Sequence, residues 1–179
     1  MIPTLRICLY CVLFAFSLVL FGLTADRLHY TTHLSSNDPL NSGKSFYDPI
    51  VAELLFSTLL TMFFVPFIVH AIAKRRDNGL VYTFAAEIGT LSVLFIFWLV
   101  GAAIASSLWG DLGWCQHFEA CRILSALVAF AWLGWIVILA LLVISLLHSF
   151  ANGAFMDPAH GRMYPRESVA YPPTSEYRA

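Results

Sequence analysis

Four apolar stretches, Ile7 to Ala25, Pro49 to Ala73, Leu80 to Trp109 and Ile123 to Phe150, dominate the chain. A helix needs roughly 17 to 25 residues to cross a hydrocarbon core of about 30 Å, and each stretch reaches or exceeds that length. The first and fourth contain no Asp, Glu, Lys or Arg, and the second and third carry one glutamate each, Glu53 and Glu87. The expectation is an all-α membrane protein, a four-transmembrane-helix bundle.

Composition agrees. With 59% hydrophobic and 12% charged residues over 179 positions, there is too little polar surface to cover a soluble globule. A net charge of -1, with Lys and Arg scattered or flanking the apolar stretches, leaves no basic face for nucleic acid. The first stretch follows Arg6 and ends at Leu23-Thr24-Ala25, as a cleavable signal peptide would. Its apolar region is longer than the usual 7 to 15 residues of such a leader, so a retained helix is expected.

Orientation is read from the basic residues. With both termini cytoplasmic, Arg6, Lys74, Arg75, Arg76, Arg162, Arg166 and Arg178 lie inside, and Arg27, Lys44 and Arg122 outside. The short turn around Lys74 to Arg76 makes helices two and three antiparallel neighbours. Tyr10 and Tyr82 then fall near the inner interface, and Tyr47, Trp109 and Trp114 near the outer one. Pro66 inside helix two removes a backbone donor and predicts a bend, a static kink in preference to a hinge.

WLVGAAIASSLWGDLGWC, from Trp98 to Cys115, pairs small residues four apart: Gly101 with Ala105, Ala102 with Ser106, and Ala103 with Ser107. Such a ridge lets another helix approach closely, and close packing holds bundles together in lipid. An intrachain partner is expected, with a homo-oligomer seam as the alternative. Trp109 and Trp114 would anchor at headgroups. On the outer, oxidising side Cys115 and Cys121 suit a disulfide across a short loop, the alternative being free thiols. Cys8 and Cys11, at the inner end of helix one, are either S-acylation sites or ordinary buried thiols.

Glu53 and Glu87 are the intramembrane ionisable groups, functional candidates by default. Glu53 is four residues past Pro49 and Glu87 seven past Leu80, depths of roughly 6 and 10 Å from opposite faces, so they should not meet. Glu87 shares a face with Gly101 and Ala105 and should point into the bundle, with His70, His148 or the inner basic turn as candidate donors. Glu53 lies with Ser57 and Thr61 and could reach Arg27, Lys44 or Arg122. Buried polar anchors are expected in preference to a proton or ion path.

Asp26, His29 and His33 are spaced as zinc ligands on one helical face could be, but no fourth ligand is evident. A solvated continuation of helix one is the expectation, with no metal and no cofactor. SSNDPLNSGK is turn chemistry, and Asp48-Pro49 suits a helix start with Asp48 as cap. The chain thus divides into a bundle over 1–150 and a Pro- and Tyr-containing tail over 151–179, expected to be disordered and cytoplasmic.

Several tetraspan families share this outline. A claudin signature would sit in the first outer loop, whereas SLWGDLGWCQHFEAC follows helix three. A tetraspanin would need a large Cys-rich second loop. FYDPIVAELLFSTLLTMFFVPF, WLVGAAIASSLWGDLGWC, and Cys121 with ALVAFAWLGWIV instead resemble small fungal MARVEL-domain proteins, over about residues 5 to 150. The resemblance implies a MARVEL bundle of the type in myelin-and-lymphocyte, synaptophysin-like and occludin-like proteins. Those are associated with membrane apposition, vesicle trafficking and sterol- or sphingolipid-rich plasma-membrane domains. It brings no active-site residue, and the chain shows no nucleophile–base pair, phosphate-binding Gly loop or metal motif.

The expected function is a non-enzymatic organiser of the plasma membrane or of vesicles, in contact with membrane lipids and able to form homo-oligomers. The rival is a small transporter or channel-forming subunit using Glu53 or Glu87. Glu53→Gln and Glu87→Gln are expected to spare folding and localisation under the first reading, and to abolish proton-coupled flux under the second.

Overall fold

The computed structural model describes residues 2–33, 46–74, 83–110 and 117–152. These form α1 (Ile2–Thr32), α2 (Pro49–Lys74), α3 (Phe84–Leu108) and α4 (Glu119–Asn152). All four are long and apolar enough to cross a membrane, and the fold is that of a multi-pass membrane protein. Tyr82, Arg75, Arg76, Lys44, Trp114, Cys115 and the tail from residue 153 lie outside the described residues.

Local chemistry fixes the helix ends. Pro49 opens α2, where a missing N–H costs nothing, and the Asp48 carbonyl accepts from the amides of Val51 and Ala52 at 3.2 and 3.3 Å. The Thr83 hydroxyl accepts from the Ala86 amide at 3.3 Å, so α3 starts at Phe84 and not at Leu80. α1 continues past Ala25 to Thr32, and the hydroxyls of Thr24, Thr31 and Thr32 are satisfied within the helix by carbonyls three or four residues earlier. α2 runs unbroken through Pro66, which sits on its exposed side.

Each helix packs extensively on the next, and α4 packs on α1, closing a four-sided bundle. Cross-helix contacts give the directions. Arg27 meets Asp48 between α1 and α2, and Phe56 meets Phe97 between α2 and α3. Phe95 meets Trp135 between α3 and α4, and Phe16 meets Phe130 between α4 and α1. The helices therefore run up, down, up, down. The near end of the bundle holds the start of α1, the end of α2, the start of α3 and the end of α4. The far end holds the end of α1, the start of α2, the end of α3 and the start of α4.

The interior follows a seven-residue rhythm. On α1 the buried positions are Arg6, Tyr10, Leu13, Ser17, Leu20, Thr24, Arg27 and Thr31, alternating steps of four and three. On α3 they include Phe84, Glu87, Leu91, Leu94, Trp98, Gly101 and Ala105. This is the spacing of knobs-into-holes bundles. The outside is apolar: Phe56, Phe63, Ile96, Leu108, Ile136 and Leu147 are all more than half exposed. Polar side chains inside and large apolar ones outside suit a hydrocarbon surround, where helix association comes from packing and interhelical hydrogen bonds.

Candidate functional site

At the near end, four polar side chains from three helices converge. Glu87, in the first turn of α3, is 3% exposed, and Arg6 on α1 is 1% exposed. The Arg6 guanidinium forms an ion pair with Glu87 Oε2. The Tyr10 hydroxyl donates to Glu87 Oε1 at 2.6 Å, and the Ser145 hydroxyl donates to the same oxygen at 3.1 Å. The Arg6 guanidinium also lies over the Phe84 ring, 4.8 Å from its centroid, and that ring meets His148 at 5.1 Å. Both carboxylate oxygens are thus engaged, and the charge is compensated by a planar cation suited to buried pairing.

α1 and α3 stand at opposite corners of the bundle, so this cluster ties a diagonal and then draws in α4 through Ser145. Glu87 does face the interior, but its partners differ from those expected. His70 is exposed and His148 packs on Phe84, while the hydrogen bonds to Glu87 come from Arg6, Tyr10 and Ser145. Arg6 and Tyr10, expected at the inner end of helix one, are both buried inside the bundle. Both were legible in principle. In an antiparallel bundle a residue near the start of α1 shares its depth with one near the start of α3, and Arg6 is the cation there.

A second tier crosses the middle. Trp98 is fully buried, and its indole N–H donates to the Thr61 hydroxyl at 3.0 Å. Its six-membered ring lies so close over Gly134 of α4 that a Cβ there would collide with it. Gly134 is therefore a contact surface for Trp98, a role that the sequence reading did not assign.

The small-residue ridge of α3 turns toward its own bundle. Gly101, Ala102 and Ala105 are buried and Ser106 half-buried, whereas Ala103 and Ser107 are exposed. A Cβ on Gly101 would strike Leu54 and Glu53 of α2. Ser106 accepts from the Trp132 indole N–H at 2.8 Å, tying α3 to α4.

Glu53 is half-buried and accepts from the Ser57 hydroxyl at 2.8 Å through Oε1. Its Oε2 is buried without a hydrogen-bond partner. Fourteen residues separate Gly101, its neighbour, from Glu87, about 21 Å along α3, so the two glutamates occupy different tiers. Arg27, one expected partner of Glu53, pairs instead with Asp48 at 3.3 Å. Asp48 thus receives a cation on its carboxylate in addition to accepting the first amides of α2 on its carbonyl.

Among the described residues, the free cysteines are Cys8 and Cys11, both exposed on α1. Cys121 is buried in the first turns of α4, and its expected partner Cys115 lies outside the described residues. Asp26, His29 and His33 stand on the last turns of α1, where the two imidazoles stack with centroids 4.7 Å apart. No three His, Cys, Asp or Glu side chains converge as a metal site among the described residues.

Comparison with protein-family models, with curated proteins and with solved structures gives no match for the chain.

Proposed function

We propose that the protein is a non-enzymatic, MARVEL-like scaffold with both termini cytoplasmic, organising lipid domains of the plasma membrane or of vesicles. The observation that carries this reading is the engagement of Glu87. Arg6, Tyr10 and Ser145 occupy both its oxygens, which makes it a pin between helices and not an open relay for protons. The tight Trp98–Gly134 contact supports the same reading, since it fills the middle of the bundle where a pore would run. A Cys115–Cys121 disulfide fits the proposal by fastening the loop before α4 on the outer side.

Sterol- or sphingolipid-rich membrane is the partner this reading names, with self-association through the exposed apolar faces. Live-cell imaging of the tagged full chain beside a sterol reporter tests it. Discrete surface patches that disperse on sterol depletion are expected. A uniform distribution indifferent to sterol would reject the lipid-domain role.

One observation favours a second reading. Glu53 Oε2 is buried without a partner, as a proton-accepting carboxylate on a transport path would be. Proton-coupled flux in proteoliposomes that vanishes in Glu53→Gln, with folding intact, would support the transporter reading over the scaffold.

A further inference from the structure

The buried stripe of α1 has a counterpart on the opposite side of the helix. Arg6, Leu13, Leu20 and Arg27 face the bundle, and the residues two further on, Cys8, Ala15, Gly22 and His29, are all exposed. Two residues are about 200° around a helix, so these four run down the middle of the outward face, seven apart. Leu18, Val19 and Asp26, also exposed, flank that line. The line is low where the rest of the outer surface is bulky: Phe63 of α2, Ile96 of α3 and Leu147 of α4 are each more than half exposed.

Glycine is a poor helix residue unless its missing side chain is put to use. Gly101 and Gly134 are each pressed by a neighbouring helix, whereas a Cβ on Gly22 meets nothing within 4 Å inside the subunit. Gly89 of α3 is open as well, but Ile96 stands seven residues after it and interrupts any such line there. Small residues at every seventh position suit a second helix lying alongside at close range.

Charge identifies that second helix. Copies of one chain share an orientation in the membrane, so two copies meeting through α1 pack it parallel to itself, about a two-fold axis along the membrane normal. That symmetry sets the two Asp26 side chains on opposite sides of the seam, each beside His29 of the other copy. The carboxylate accepts from the imidazole N–H, and the contact is made twice. Among the described residues, neither Asp26 nor His29 forms an ion pair within the subunit. Depth agrees as well. α1 has 31 residues, about 45 Å, and overruns a core of about 30 Å, so its last turns reach the headgroup layer, where such a polar pair is at home.

We propose that a second copy of this chain docks along Cys8, Ala15, Gly22 and His29, making α1 the seam of a parallel homodimer. The inference rests on the membrane-spanning fold and deepens the lipid-organising reading, by naming the face through which the scaffold meets itself. Tested in sterol-free vesicles, it can fail while the sterol-dependent patches stand, and the reverse.

Energy transfer between donor- and acceptor-labelled full chains in phosphatidylcholine vesicles, followed as lipid dilutes the protein, tests it. Two-body association is expected, and Gly22→Leu should weaken it about tenfold with the helix content of the subunit unchanged, since a Cβ there meets nothing inside the subunit. Ala103→Leu, on the exposed side of α3, should leave association unmoved. Asp26→Lys should weaken it several-fold, and the Asp26→Lys/His29→Asp double variant should recover it. Copper-phenanthroline oxidation should join two copies in Cys11→Ser and fail to do so in Cys8→Ser. Monomers at every dilution, association indifferent to Gly22→Leu, or equal weakening by Ala103→Leu would each overturn the proposal.

Discussion

Glu87 on α3 is paired across the diagonal of the bundle with Arg6 on α1, a partner 81 positions earlier in the chain. Breaking a buried ion pair from one side leaves the other charge uncompensated, at about 3–5 kcal/mol. Glu87→Gln is therefore expected to destabilise the bundle by that order, which revises the expectation from sequence that the substitution would spare folding. Arg6→Gln should cost a similar amount. The Arg6→Gln/Glu87→Gln double variant should lose clearly less than the sum, because neither charge is stranded and the carboxamide oxygen at position 87 still accepts from Tyr10 and Ser145. Thermal unfolding of the four proteins in detergent checks this, and strict additivity would count against the pairing.

The middle tier gives a second double-mutant cycle. Trp98→Phe and Thr61→Val each remove the 3.0 Å hydrogen bond between α3 and α2. Such bonds in membrane proteins average about 0.6 kcal/mol and reach about 1.7. The coupling energy between the two substitutions should fall in that range.

Helical glycines separate into two groups. A Cβ at Gly134 meets the Trp98 ring, while Gly22 and Gly89 have nothing within 4 Å of a Cβ. Gly134→Ala should cost about 1–3 kcal/mol by overpacking, with partial rescue from Trp98→Phe. Gly22→Ala and Gly89→Ala should be neutral or stabilising by up to about 1 kcal/mol, following helix propensity. Melting temperatures distinguish the two groups directly.

Cys8 and Cys11 are free, exposed and three residues apart, facing away from the bundle. Their substitution by Ser should leave stability unchanged. If they carry acyl chains, hydroxylamine-dependent acyl exchange on membrane-extracted protein will label the wild type and not the Cys8→Ser/Cys11→Ser variant. Absence of labelling in wild type would remove S-acylation from the account.

How far the sequence revealed this arrangement depended on which physical signal each residue carries. The four spans were legible because length and hydropathy alone decide them. The close approach at Gly101 was legible because small residues at helical spacing have one structural use. The seam along α1 was not, since hydropathy does not separate Leu13 from Leu18, yet Leu13 is buried and Leu18 is exposed. In lipid both faces of a helix are apolar, and the polar residues mark the inside: Ser17, Thr24 and Thr31 trace the buried stripe of α1. Reading those hydroxyls as a stripe, and Arg6 at its head, would have led to Glu87. Gly134 carried no such signal, because its role depends on Trp98 arriving from another helix.

The diagonal pair also bears on how the chain is made. Arg6 leaves the ribosome long before Glu87, so α1 is synthesised with a cation on its inward stripe and no counter-charge to meet it. A lone charged side chain is costly within a bilayer, and a long arginine near a helix end keeps its head in the headgroup layer until a partner comes. Arg6 meets its counter-charge only when the third helix is in place. A chain ending before α3 would therefore carry one unpaired charge on the inward stripe of its first helix.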